Sequence, residues 1–438
     1  MTELERHVCR AGPHELWGAS DEQLAEKGKL RKHIEPWLSS VFQSEHLSVI
    51  LGSGFTNAVA LAVDGKPATM QTQTWGSQYA DVIAAYASTS AQKQSRGAAN
   101  IEDQLRTAIQ LKDGLEILGD EGADELKAAI DDQLRSFVTM ILETESTIAV
   151  AEGDSAEAGR ALLLSFLLSF ASRTASRERV NLFTTNYDRL IEYGCDLAGL
   201  RPLDRFIGAL EPAFRASRLD VDMHYNPPGI RGEPRYLEGV VKLCKLHGSL
   251  DWRWNQGVLS RCPLPFGADA THPAIPPSPS ESVIIYPNPA KDVETLEYPY
   301  AELFRDFASC ICRPNSALVT YGYGFGDDHV NRTLLDMLTI PSTHLVIIAW
   351  DSTNPEDSTD EANASRHRIN SFLNKASRPA QISLLLGSHF GDLQTLVSNY
   401  LPKPAIDPIS IREAHLRQAR GEVPPENISQ EGADDATN

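Results

Sequence analysis

The sequence predicts an α/β protein in which a parallel sheet carries a large helical insertion. Three observations lead there. Short, almost unbroken apolar runs recur along the chain between helical stretches. Several of these runs end directly in glycine-containing or polar turns. One long stretch, about residues 71–176, repeats its apolar residues at helical spacing instead.

Residues 1–46 read as an N-terminal helical lead-in, because residues 21–42 are mostly polar and helix-prone. The apolar run 47–51 is the first buried strand, and it stops at Gly52. Runs of the same kind follow at 180–184, 240–246, 283–286, 317–321, 344–350 and 381–386, each expected to be a parallel strand. Within the insertion, Leu105, Ile109, Leu115 and Ile117 share one helix, Leu134, Val138 and Ile141 a second, and residues 162–170 a third. Apolar stripes are usually core, so packing or oligomer contact is the expected role of this region rather than direct chemistry. The run 263–282 is too rich in proline for a helix or a central strand and reads as a surface loop. Residues 402–438 form an acidic tail with no Lys or Arg after Arg420, expected to be disordered. The body of the chain is thus residues 47–401.

Composition narrows the function. With 59 acidic against 40 basic residues the formal net charge is -19, which repels phosphate backbones, so direct nucleic-acid binding is not expected. The six cysteines are scattered without a CxxC pair, so no zinc ribbon and no other metal is expected, and reduced thiols fit a cytoplasmic protein. No signal-like start is present, and the longest apolar stretch, 161–171, is about half of the roughly 20 residues needed to cross a bilayer. No membrane association is expected.

Four motifs stand at or near strand ends. Gly52-Ser53-Gly54-Phe55-Thr56 joins the first strand to a helix, where glycines let a phosphate approach backbone N–H groups; Gly52, Ser53, Gly54 and Thr56 are candidate contacts. In Thr184-Thr185-Asn186-Tyr187-Asp188, Asn186 offers a donor and an acceptor without charge, suited to a ribose hydroxyl or a water. Thr185 is a further candidate, and Asp188 suits ligand contact and helix capping equally. Leu246-His247-Gly248-Ser249-Leu250-Asp251-Trp252 places a histidine where proton exchange near neutral pH is useful. The fourth motif, residues 321–331 (YGYGFGDDHVN), could receive the far end of a dinucleotide through Gly322, Tyr323 and Gly324; Asp327 or Asp328 suits a helix cap, and His329 and Asn331 suit fixing the turn. Residues 387–392 (GSHFGD) repeat the pattern with a weaker claim. A dehydrogenase is disfavoured, since the third glycine of GxGxxG is missing and no acidic residue ends a strand about 20 positions later.

Taken in order, GSGFT, TTNYD, LHGSLDW and YGYGFGDDHVN resemble the SIR2-like (sirtuin-like) domain of bacterial anti-phage proteins, standing alone as in the SIR2 subunit of SIR2–HerA systems. The resemblance spans about residues 47–401 and implies a Rossmann-like parallel sheet. It implies that Gly52 and Gly54 bind NAD phosphates, that Asn186 lies beside the nicotinamide ribose and that His247 is the catalytic base. The G-I-P-D-F-R segment and four-cysteine zinc module of protein-deacylating sirtuins are absent here. The resemblance therefore implies a defence effector that hydrolyses NAD, as substrate, to nicotinamide and ADP-ribose. Such an enzyme needs gating, by homo-oligomerisation or a partner; only about 37 residues follow the core, so a separate HerA-type ATPase in trans is the expected partner. Two other readings stand beside it: a protein deacylase or ADP-ribosyltransferase, and a non-catalytic scaffold that senses NAD or ADP-ribose.

Overall fold

The computed structural model describes residues 7–403 except 13, 19, 21–22, 25–26, 67–71, 94–98, 174–176, 219–221, 226–234, 256, 277–282, 286–297 and 351–359. Residues 404–438 of the expected tail, the end of the proline-rich run and Tyr286 lie outside the described residues.

In chain order the strands are β1 (Val8–Ala11), β2 (His14–Trp17), β3 (His46–Leu51), β4 (Asn181–Thr184), β5 (Arg201–Leu203), β6 (Phe206–Ile207), β7 (Ala213–Phe214) and β8 (His224–Tyr225). They continue as β9 (Arg235–Tyr236), β10 (Val240–Lys245), β11 (Gly248–Asn255), β12 (Val258–Arg261), β13 (Val283–Ile285), β14 (Ser316–Tyr321), β15 (His344–Ala349) and β16 (Ile382–Leu386). The longer helices are α1 (Lys27–Phe42), α2 (Ser53–Ala62), α3 (Ala80–Lys93), α4 (Ile101–Leu118), α5 (Gly122–Val150), α6 (Asp154–Ala171), α7 (Leu190–Ala198), α8 (Tyr300–Ile311), α9 (Asp328–Met337) and α10 (Asp360–Lys375).

Nine strands form one sheet in the order β2-β1-β16-β15-β14-β3-β4-β10-β5. From β16 to β5 every pairing is parallel, giving the expected Rossmann-like α/β fold. Both faces are covered, which is why the central strands read as continuous apolar runs. Side chains alternate between the covers: Leu47, Val49 and Leu51 of β3 join one buried cluster, and Ile50 joins the other. The first cluster receives α1, α2, α6 and α7 through residues such as Ile34, Phe55, Phe166 and Leu190. The second receives α8, α9 and α10 through Phe307, Leu334 and Phe372.

Three expectations need correction. The lead-in is helical only from residue 23 onward among the described residues; β1 and β2 form a hairpin that adds antiparallel strands to the β16 edge, with Gly12 turning at φ +61. The helical stretch between β3 and β4 is two things. Helices α3 to α5 build a cluster of their own around Leu105, Leu134 and Phe137, whereas α6 packs into the main core as a crossover helix. Finally, β13 is not in the parallel sheet: it pairs antiparallel with β11 in a second sheet, ordered β13-β11-β12-β7-β6. A three-residue Val-Ile-Ile run signals an extended, buried segment but carries no information about its pairing direction. The described part of the proline-rich run, 263–276, contains neither helix nor strand, as expected.

One core group makes stability pH-dependent. His344, at the start of β15, is partly buried, with Nε2 2.9 Å from Ser383 Oγ and its ring edge-on to Trp37. Burial, with Arg10 nearby, pulls its pKa from 6.5 down to about 4. The unfolded chain therefore takes up this proton at higher pH than the folded chain. The stability in question is fully present above about pH 6.5 and is lost as pH falls towards 4, by up to about 3 kcal/mol. Urea unfolding at pH 7 and pH 4 should show that His344→Gln removes this share of the pH dependence; an unchanged dependence would refute the assignment.

Candidate functional site

The four motifs meet at the carboxyl end of the main sheet, after β3, β4, β10 and β14. From β3 the chain builds β4, β5 and β10 on one side and later returns to β14 on the other, so winding reverses at the β14–β3 boundary. Open α/β sheets bind ligands at such reversals, outside the strand ends.

At that boundary the two glycine turns touch backbone to backbone. The Gly52 amide donates to Tyr321 O and the Gly54 amide to Gly322 O, each at 3.1 Å. A Cβ on Gly52 would lie 2.4 Å from Gly322 O, and one on Gly54 would lie 2.7 Å from Gly322 Cα. One on Gly322, whose φ is +64, would lie 2.4 Å from Phe55 N. Glycine is thus required for the turns to meet, before any ligand is considered. The Phe55 amide also bonds internally, to Gly52 O at 2.9 Å, so the first-turn amides expected to face a phosphate are partly engaged within the protein. Ser53 stands exposed on the rim.

Beside this turn, Asn186 is buried in a chain of three side chains. Its Nδ2 donates to Gly52 O at 2.9 Å and to Thr56 Oγ1 at 3.0 Å, and Thr56 donates onward to Asp188 Oδ2 at 2.8 Å. Because Gly52 O can only accept, the amide nitrogen must face it. Oδ1 of Asn186 is left facing away, with no hydrogen bond to any described residue. The other oxygen of Asp188 accepts from the Leu190 amide at 3.1 Å at the start of α7, as its capping role requires. Thr185 is partly exposed at the strand end.

The adjacent strand brings His247 alongside. Thr184 and Lys245 are register partners, so Asn186 and His247 occupy equivalent positions two residues beyond neighbouring parallel strands. Their loops are tied by Leu246 N to Thr184 O at 2.8 Å and Leu250 N to Tyr187 O at 3.0 Å. His247 is 8% exposed; its Nε2 lies 3.3 Å from His329 Nε2 and 4.0 Å from Asp327 Oδ1. Asp327 occupies the position before α9 but its side chain makes no cap bond there. Asn331 does fix its turn, donating to Phe325 O at 2.9 Å and accepting from Tyr323 Oη at 3.1 Å. His329 instead turns towards His247.

The motif residues of this turn divide accordingly. Tyr323, expected to contact a ligand, is buried in the second core cluster with its hydroxyl used on Asn331. Gly324 accepts from Arg368 Nε at 2.7 Å. The 387–392 turn is structural: Asp392 caps Thr395 at 2.7 Å, and Gly391 O accepts from Tyr321 Oη at 2.9 Å.

Several groups in the floor escaped the sequence reading. Lys245 is buried beneath the loop, donating to Asp188 O and to Glu192 at 3.2 Å. Tyr187 donates to Glu102 of α4 at 3.0 Å, and Arg189 is held by Glu145 of α5 through its amide at 2.7 Å and its guanidinium. Burial and the neighbouring Glu102 raise the Tyr187 pKa, so the phenol stays protonated as a donor. The only hint in sequence was charged residues within otherwise apolar helical stretches. A separate cavity of about 50 Å³, lined by Phe183, Arg205, Lys245, Arg261 and Asp306, lies away from the glycine turns and has room for a few waters but not for a nucleotide.

Residues 180–370 match the family model of the SIR2-like domain. The match includes TTNYD, LHGSLDW and YGYGFGDDHVN and excludes GSGFT. It supports placement in the SIR2-like superfamily and NAD-related chemistry in general. No curated protein matches the chain. Among the described residues no helix is long and apolar enough to cross a membrane.

Proposed function

We propose that the chain is an NAD hydrolase, releasing nicotinamide and ADP-ribose, and that it acts as an anti-phage effector by depleting NAD. The observation that carries this reading is the placement of Asn186 and His247 at equivalent positions after adjacent parallel strands, beside the glycine turn at the winding reversal. Hydrolysis breaks the bond between ribose C1′ and the nicotinamide nitrogen, and the electron pair leaves with the ring. Water adds at C1′ and gives up a proton. Positive charge develops on the ribose, and neutral nicotinamide is a good leaving group, so a strong acid on the enzyme is unnecessary.

Asn186 is fitted to the positioning task. Its nitrogen is locked onto Gly52 and Thr56, leaving Oδ1 as a fixed acceptor for a ribose hydroxyl or the attacking water. His247 takes the water's proton. Exposed apolar side chains on the insertion helices, Tyr86, Ile117 and Leu118, support a homo-oligomer contact, and gating by a HerA-type ATPase in trans belongs to the same reading.

The test is nicotinamide release from NAD by purified protein without any acyl-peptide, alone and with the genomic-neighbour ATPase. Wild-type protein should release nicotinamide, and Asn186→Ala should reduce release by about 100-fold or more while keeping its circular dichroism spectrum. NAD binding without release by the wild type, under both conditions, would overturn hydrolysis in favour of a sensing scaffold.

A further inference from the structure

His247, His329 and Asp327 form a cluster that the base role of His247 alone does not account for. Each offers one ligand atom, and the three atoms lie within 4.8 Å of one another. The two Nε2 atoms are 3.3 Å apart. A metal ion holding two imidazoles at about 2.0–2.1 Å in tetrahedral geometry spaces their nitrogens by about 3.3–3.4 Å. The carboxylate oxygen, 4.0 Å from His247 Nε2 and within 4.8 Å of the His329 ligand atom, must close by roughly 0.7–1.5 Å to join them. It belongs to a side chain 16% exposed, at the start of α9.

We propose that these three residues form a binding site for a divalent transition metal of the zinc type. Two imidazoles and one carboxylate suit zinc, cobalt or ferrous iron over magnesium or calcium, which favour oxygen ligands. Three protein ligands leave a fourth position open. This site is distinct from the cysteine-based module that the sequence lacks. It draws on segments far apart in sequence: the loop after β10 supplies His247, the residue before α9 supplies Asp327, and the first turn of α9 supplies His329.

Resting on the hydrolase reading, the site has a regulatory consequence. A metal on His247 Nε2 occupies the lone pair that would accept the water's proton, so bound zinc inhibits turnover.

The binding test does not depend on activity. Chelator-stripped full-length protein is titrated with Co²⁺, and visible ligand-field absorption is followed. One Co²⁺ per chain, displaced by Zn²⁺, is the expected result. His329→Ala should weaken binding by more than about ten-fold, since removing even an outer partner of a metal ligand costs roughly 10–100-fold. His329→Gln serves if the alanine variant loses its circular dichroism spectrum. No ligand-field absorption in the wild type, or binding unaltered in the folded His329 variant, overturns the site. Nicotinamide release should fall at least about ten-fold with one equivalent of Zn²⁺ and recover with EDTA. Zn²⁺ binding without this fall overturns the inhibitory role, whereas Co²⁺ binding by a protein inactive on NAD leaves the site standing and removes the hydrolase reading.

Discussion

His247→Ala should lower nicotinamide release by about 10²- to 10⁴-fold, the range that a positioned proton acceptor contributes. The imidazole is 8% exposed, two residues after β10, and it is held between Tyr187, whose ring centre is 6.3 Å away, and His329. The loop itself is held by backbone bonds from Leu246 and Leu250 to the neighbouring TTNYD segment, which the substitution leaves in place. The variant should therefore fold and bind NAD while failing to turn it over. Rates of release and NAD binding by calorimetry, measured on the same preparation, separate the two. Wild-type turnover would remove His247 from the chemistry; loss of binding together with turnover would make it a structural residue.

The parts of this architecture that could be read from sequence are those whose residues report their own environment. A strand covered on both faces must be apolar at successive positions, and β3, β14, β15 and β16 are buried along nearly their whole length. Strands such as β6, β7 and β12 are two to four residues long, and their pairing rests on partners elsewhere in the chain. The β1–β2 hairpin did carry a signal, Gly12-Pro13 between two short segments, but the helical reading of residues 1–46 rested on the polar, helix-prone stretch 21–42 that follows it. The site shows the same division. GSGFT and TTNYD announce themselves as glycine-rich or polar segments at strand ends, and LHGSLDW by its histidine, although from Gly248 onward it is strand β11. The partnership of His247 with His329 spans 82 residues and exists only because β14 lies across the winding reversal from β4 and β10. The glycine turns were legible as glycine turns, yet their physical requirement proved to be contact with each other.

The insertion yields the largest expected effect on stability. Glu145 of α5 and Arg189 of the TTNYD loop are both nearly fully buried. The carboxylate accepts from the Arg189 amide at 2.7 Å and from the guanidinium, which also donates to Leu264 O and to Pro265 O at 2.9 Å. Glu145→Ala leaves a buried guanidinium and a buried amide without this partner, which should cost about 3–5 kcal/mol in urea unfolding. Replacing both partners by apolar residues, Glu145→Leu with Arg189→Met, should recover a large part of that loss, because the pair repays its own desolvation only partly. A cost below about 1 kcal/mol for the single change would show that the pair is dispensable. The position of Arg189, immediately after Asp188 and three residues beyond Asn186, gives the pair a second consequence. The pair ties α5 to the loop that carries Asn186, and Tyr187 and Glu102 form a parallel link from α4. The insertion is thus more than the packing element its apolar stripes suggest, since it also holds the TTNYD loop through buried polar contacts.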